Sequence, residues 1–148
     1  MSQIVILAVV AAVAVGVAVW LRRQGPDAPE QGPSWAVPTH LDRTDFDRAD
    51  APWLVAVFSS ATCLSCQGTW AKAELLASDA VAVQEVEAIE RKDLHDRYRV
   101  DAVPMVLVAD AAGTVKRSFV GPPTATDLWA ALAELRQPGS VPPSCTHD

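Results

Sequence analysis

Cysteine is scarce in this 148-residue chain: three residues, Cys63, Cys66 and Cys145. Three are too few for a disulfide-stapled framework, and the odd number leaves at least one thiol without an intramolecular partner. Positive charge is scarce as well, with 12 Lys and Arg against 18 Asp and Glu and a net charge of −6. No basic stripe exists to neutralise phosphates, which argues against a nucleic-acid partner. The length excludes two ordinary domains and allows one compact domain with appendages. No internal repeat is visible.

Apolar side chains, by contrast, are plentiful, at 50% of residues. The run from Ile4 to Leu21 (IVILAVVAAVAVGVAVWL) carries no charge. As a helix it would span about 27 Å, close to the hydrocarbon thickness of a bilayer. Trp20 stands at its end, where an indole suits the membrane interface. A core helix that is apolar all round would have nowhere to hide in a domain this small. A cleaved signal peptide would open on basic residues and end at a small-x-small site. Here Met1-Ser2-Gln3 has no basic side chain, and the run ends in Trp20-Leu21-Arg22-Arg23. The sequence therefore predicts an uncleaved anchor over residues 1–23, in contact with lipid through residues 4–21. The arginine pair follows the span, so the positive-inside rule puts the remaining domain on the cytoplasmic face of the membrane. An extracytoplasmic domain is the alternative.

Residues 24–36 begin as QGPDAPEQGPS, a Pro-, Gly- and acid-rich stretch with nothing to bury, and read as a flexible linker. At the other end, residues 137–148 leave the last helix at Pro138 and form a flexible tail. Between them, residues 37–136 alternate. WLVAVFS (53–59) is a continuous run of β-formers, as in a strand buried on both faces. From Cys63 to Leu76 the spacing of Trp70, Ala73 and Leu76 predicts a helix, with Gly68 its weak point. AVAVQEVEA (80–88) alternates like a strand, RKDLHDRYRV (91–100) suits a short helix, and VPMVLVA (103–109) is a third apolar strand. A turn at 110–113 leads into TVKRSFVG (114–121) as a hairpin partner. TATDLWAALAELR (124–136) opens on a Thr cap and places Leu128, Leu132 and Leu135 on one face. HLDRTDFDRAD (40–50) is a candidate short helix. This order predicts parallel βαβ units followed by an antiparallel hairpin, a three-layer α/β/α sandwich with a mixed sheet.

Cys63 follows a buried strand and opens a helix. Free N–H groups and the positive dipole end there favour the thiolate, the nucleophilic form of cysteine. Cys66, one turn on, is close enough to attack a mixed disulfide and release its substrate. Cys-x-x-Cys in a βαβ context points to redox chemistry. Two inert buried thiols are the plain alternative. A second alternative adds Cys145 and His147 to Cys63 and Cys66 as a Cys₃His zinc set, making the domain a metal- or partner-binding module. Cys145 also reads as an accessory redox thiol, or as an exposed tail cysteine without a role. His40 and His95 read as surface side chains, Asp93, Asp96 and Arg97 as a solvated helix face, and the tryptophans mostly as packing.

Over residues 37–136 the chain resembles the thioredoxin family. The carriers are WLVAVFS leading into Cys63-Leu64-Ser65-Cys66, and the segment RYRVDAVPMVLVADAAG. The anchor, the arginines, the tether and the stretches LDRTDF, APWLV and SSATC make it most similar to the membrane-anchored thioredoxin-like proteins of actinobacteria. The resemblance implies a thiol–disulfide oxidoreductase acting on a protein or small-thiol disulfide and coupled to an electron donor. Its redox group would be the Cys63–Cys66 disulfide, with no other cofactor and no metal. It also implies a cis-proline at Pro104, which exposes the Val103 backbone to an extended substrate, and a groove-bordering glycine at Gly121. The chain departs from the family at Thr62, where a tryptophan is usual, and at Leu64-Ser65, where Gly-Pro is usual. Val57 stands for a buried aspartate, Glu85 for a lysine on the next strand and Ala71 for a helix-kinking proline.

Overall fold

The computed structural model describes residues 35–140. Strand β1 (Trp53–Ser59) lies inside a four-stranded sheet of order β2-β1-β3-β4, with β2 (Val81–Glu87), β3 (Met105–Asp110) and β4 (Val115–Val120). From Leu54 to Ser59 every β1 residue is buried, and so is every β3 residue from Met105 to Ala109. Helices cover both faces, which is why these two strands read as unbroken apolar runs rather than alternating ones. The edge strand β4 instead exposes Lys116, Arg117 and Ser118. Charged side chains on an edge discourage pairing with another chain.

Alternate residues of β1 point to opposite layers. Leu54, Ala56 and Phe58 pack with Met105, Leu107, Leu94, Val100, Leu41 and Phe46. Val55 and Val57 pack with Val106 and Val108 against Ala73, Leu76, Leu128 and Leu132. The second layer comprises helix α1 (Leu64–Ala73), the 3₁₀ turn Glu74–Leu76 that continues it, and helix α3 (Ala125–Arg136). The first contains helix α2 (Lys92–Tyr98) and the segment before β1. A three-layer sandwich results, as the sequence pattern predicts. Helix α3 begins in a capping box, Thr124 accepting from Asp127 N–H while the Asp127 carboxylate accepts from Thr124 N–H.

The strand directions differ from the predicted ones. β1 and β2 are parallel, but β3 runs antiparallel to β1, so among the described residues only one parallel βαβ unit is present. Helix α2 is short against the strands it connects. Seven helical residues span about 10 Å, whereas seven strand residues span about 23 Å. The connection passes over β1 and enters β3 at the end of the sheet where β2 finished, with Arg99 in a left-handed conformation (φ 53°) at the end of α2. As a result, the C-terminal ends of β1, β2 and β4 and the N-terminal end of β3 meet at one sheet edge.

Two local expectations also change. Only Arg43–Asp45 of the 40–50 stretch is helical, as one 3₁₀ turn capped by Asp42. Aspartates capture nearby backbone N–H groups instead of prolonging a helix. The turn is pinned to α2: Arg97 bridges Asp42 and Asp45, the Tyr98 hydroxyl donates to Asp45, and Asp42 N–H donates to the Tyr98 oxygen. Burial, and then the Asp45 carboxylate, push the Tyr98 phenol up to about 12. His95 is buried rather than on the surface, its Nε2 2.9 Å from the Val86 carbonyl and its ring edge-on to Phe58. Not all the tryptophans pack inside: Trp129 and Trp35 are exposed.

The predicted anchor at residues 1–23 and linker residues 24–34 lie outside the described residues, as does the tail from 141. Among the described residues no helix is long and apolar enough to cross a membrane.

Gly113 closes the β3–β4 hairpin at φ +85°, and its carbonyl accepts from Leu41 N–H. A Cβ there would stand 2.0 Å from the Leu41 carbonyl oxygen, whereas one at Gly121 (φ +93°) meets nothing within 4 Å. Gly121→Ala should therefore cost about 1–3 kcal/mol of backbone strain, and Gly113→Ala more than about 3 kcal/mol. Urea midpoints of the two variants measure the difference.

Candidate active site

The chain leaves β1 at Ser59, makes a tight turn and enters α1. Cys63 N–H donates to the Ser60 carbonyl at 3.0 Å, which closes the turn. Cys63 is the N-cap of α1, and its Sγ accepts from Cys66 N–H at 3.2 Å. A sulfur here faces the unpaired amides of the first helical turn and the positive end of the helix dipole. The Ser65 hydroxyl lies 3.3 Å from the same sulfur. Cys63 and Cys66 form a disulfide with Cα atoms 5.3 Å apart. The two sulfurs are not equivalent, since Cys63 is partly exposed and Cys66 is 1% exposed. An incoming molecule meets Cys63 first.

The Val103–Pro104 peptide bond is cis, and Pro104 precedes β3 at the same edge. Neither backbone polar group of Val103 is paired within the described residues. Gly121 N–H donates to the Pro104 carbonyl at 2.9 Å, joining the end of β4 to this segment. Lys72 of α1 donates through Nζ to the Pro123 carbonyl at 3.1 Å. The cysteine helix, the proline segment and the 121–123 turn are thus linked by hydrogen bonds. Cys63, Cys66, Val103, Pro104 and Gly121, singled out in the sequence, all stand at this edge. Cys145 and His147 lie outside the described residues, and with them the four-ligand zinc set. Among the described residues no group of three or more His, Cys, Asp or Glu is placed to hold a metal.

Glu87 has no counterpart in the sequence reading. One of its oxygens accepts from Ala61 N–H at 3.0 Å, the other from Ile89 N–H at 2.7 Å and Glu90 N–H at 3.0 Å. A single carboxylate thereby ties the turn before Cys63 to the turn after β2. Backbone donors, Glu90 first and then Ala61, hold its carboxyl below the usual glutamate range. Beneath α1, Val57 lies beside Glu85 in the parallel register and carries no titratable group. The buried Ser59 hydroxyl donates to Glu85 at 2.6 Å. No motif announces either contact, because each joins residues 26 positions apart.

The arrangement is similar to that of solved thioredoxins. Germline-specific thioredoxin Deadhead of Drosophila melanogaster superposes with a TM-score of 0.52 and 23% identity, over 59% of this chain and 84% of its own. A thioredoxin variant from Halobacterium salinarum gives 0.51 and 26%, over 64% and 81%. Fasciola hepatica thioredoxin gives 0.50 and 22%, over 57% and 81%. No family model and no curated protein matches the sequence. The described residues have a thioredoxin-like α/β fold with a mixed four-stranded sheet and three α-helices.

Glu87 implies an acid-sensitive latch. Its folded-state pKa lies below the ordinary 4.5, so its stabilising contribution is fully present above pH 4.5 and is lost as pH falls through the lowered value. Glu87→Gln keeps an acceptor oxygen but no titrating charge. The variant should be less stable than wild type at neutral pH, and the gap should close below pH 4.5 in thermal melts across the acid range.

Proposed function

We propose that the protein is a membrane-anchored thiol–disulfide oxidoreductase whose redox group is the Cys63–Cys66 pair. The observation that carries this reading is the partly exposed Cys63 at the N-cap of α1, disulfide-bonded to a buried Cys66. The thioredoxin-like fold supports it. In the reduced protein the Cys63 thiolate attacks a substrate disulfide and forms a mixed disulfide. Cys66, held one turn away, then attacks Cys63 Sγ and releases the reduced substrate. Val103, with its backbone unpaired, offers an extended substrate segment strand-like hydrogen bonds, and Pro104 and Gly121 border the place where that segment lies.

An exposed nucleophile and a buried resolving thiol divide the work. The substrate reaches Cys63, while Cys66 acts only after the mixed disulfide has formed. Lipid contact through residues 4–21 would keep the domain at the membrane, with Arg22 and Arg23 on the cytoplasmic side. There the pair works in the reducing direction, recharged by an electron donor. Cys145 is an accessory thiol in this reading.

Cys63→Ser should lower disulfide exchange to the uncatalysed background. Cys66→Ser should instead accumulate a mixed disulfide that is visible on non-reducing gels and cleared by dithiothreitol. A Cys63→Ser protein as fast as wild type sinks the proposal. The anchor is tested separately in intact cells. The full-length chain should stay with membranes through an alkaline wash, and an impermeant thiol reagent should label Cys145 only after permeabilisation.

A further inference from the structure

Three large apolar side chains are exposed on segments at the end of the sheet that carries the disulfide. Leu64, between the two cysteines, is 85% exposed, Ile89 is 78% exposed and Val120 is 45% exposed. Each belongs to a different segment. Leu64 opens α1 beside Cys63. Ile89 shares the Glu87 carboxylate with Ala61, which lies two residues before Cys63. Val120 pairs with Met105, next to Pro104, and precedes Gly121. Exposed apolar groups spread along the end of the sheet that holds a reactive pair mark a contact surface rather than chance exposure.

Negative charge outweighs positive at this edge. Segments 59–66, 87–90, 101–104 and 119–123 contain Glu87, Glu90 and Asp101 and no Lys, Arg or His. None of the three acids is in an ion pair among the described residues. Of the nearby cations, Arg91 is engaged with Asp93 and Lys72 donates to the Pro123 carbonyl. Arg99, two residues before Asp101, is in no ion pair among the described residues, so three carboxylates face one free cation.

From this we infer that the site selects disulfides in polypeptide segments that carry apolar residues beside the cysteine and a lysine or arginine close by, and disfavours acidic peptides and small anionic disulfides. The inference rests on disulfide exchange at Cys63–Cys66. Apolar neighbours of the substrate cysteine are drawn from water against Leu64, Ile89 and Val120, and its cation lies in the field of Glu87, Glu90 and Asp101. A low-molecular-weight disulfide bearing several carboxylates brings no apolar side chain and meets repulsion.

The exchange balances without another reactant. The Cys63–substrate S–S bond forms as the substrate S–S bond breaks, and the first substrate thiolate leaves and takes a proton from water. Cys66 gives its proton to water and attacks Cys63 Sγ, so the second substrate sulfur departs. The protein dithiol is oxidised by two electrons to the disulfide, and the substrate is reduced by two.

The test uses the reduced full-length chain in single turnover against three probes. They are a disulfide-cyclised peptide with leucine beside each cysteine and two lysines, the same peptide with glutamates for the lysines, and glutathione disulfide. The lysine peptide should react about tenfold faster than the glutamate peptide at low salt, and glutathione disulfide more slowly than the lysine peptide. At 1 M salt, where the screening length is about 3 Å, the peptide gap should shrink to about twofold. Glu90→Lys combined with Asp101→Lys should narrow or reverse the low-salt ratio. Serines for the peptide leucines should slow the reaction about tenfold. Equal peptide rates at low salt, a ratio that the charge reversals leave in place, or indifference to the leucines overturns the inference while exchange itself survives. Failure to reduce any probe overturns the oxidoreductase reading and the inference with it.

Discussion

Strand β1 has no water on either face from Leu54 to Ser59, and the arrangement of the site follows from that confinement. A strand buried between two others and covered by helices cannot shift by one residue without driving its whole side-chain set into the opposite layer. The register against β2 and β3 is therefore firmly held. Where the strand ends, at Ser59, is thus decided by the core, and the first turn of α1 begins five residues later. The cysteine pair is delivered to the sheet edge by packing well away from the sulfurs.

Polar contacts then hold the edge together. Glu87 draws N–H groups from both neighbouring turns, Gly121 donates to the Pro104 carbonyl, and Lys72 reaches from α1 to the Pro123 carbonyl. Each satisfies backbone groups that have left the ladder, and unsatisfied ones are costly wherever water is excluded. Together they hold four segments in place at the end of the sheet where the disulfide, with its partly exposed Cys63, stands. Burial of Cys66 and exposure of Cys63 give two chemically identical side chains different access. That asymmetry lets one act as attacking group and the other as resolving group.

The layers of the fold were legible from periodicity. Unbroken runs at 53–59 and 103–109 correspond to β1 and β3, and the Leu128–Leu132 spacing corresponds to the buried stripe of α3. The direction of β3 was not legible, because an apolar run looks the same in either orientation and only the tertiary pairing with β1 distinguishes them. His95 was misplaced for a related reason. A histidine on a charged helix reads as solvated until a particular carbonyl, that of Val86, is seen to accept its ring N–H. Within the site, the cysteines, Pro104 and Gly121 carried recognisable spacing or identity. Glu85 stood out only as an acid where a lysine is usual in the family the chain resembles, and Glu87 was one more acid in an alternating strand.

The sequence by itself determined what depends on neighbours along the chain. Cys-x-x-Cys at a strand-to-helix junction places one sulfur at a helix N-cap and the other one turn further on. Proline and glycine identities permit a cis bond at 104 and a positive φ at 121. Only the tertiary structure decided which sulfur is open and which acid holds the nearby turn. It also decided that Leu64, Ile89 and Val120 are exposed at the end of the sheet that carries the disulfide, with Glu87, Glu90 and Asp101 on segments at the same end. Those relations join segments tens of residues apart. Local propensity does not contain them, because they exist only once burial of the sheet has brought the strand ends together.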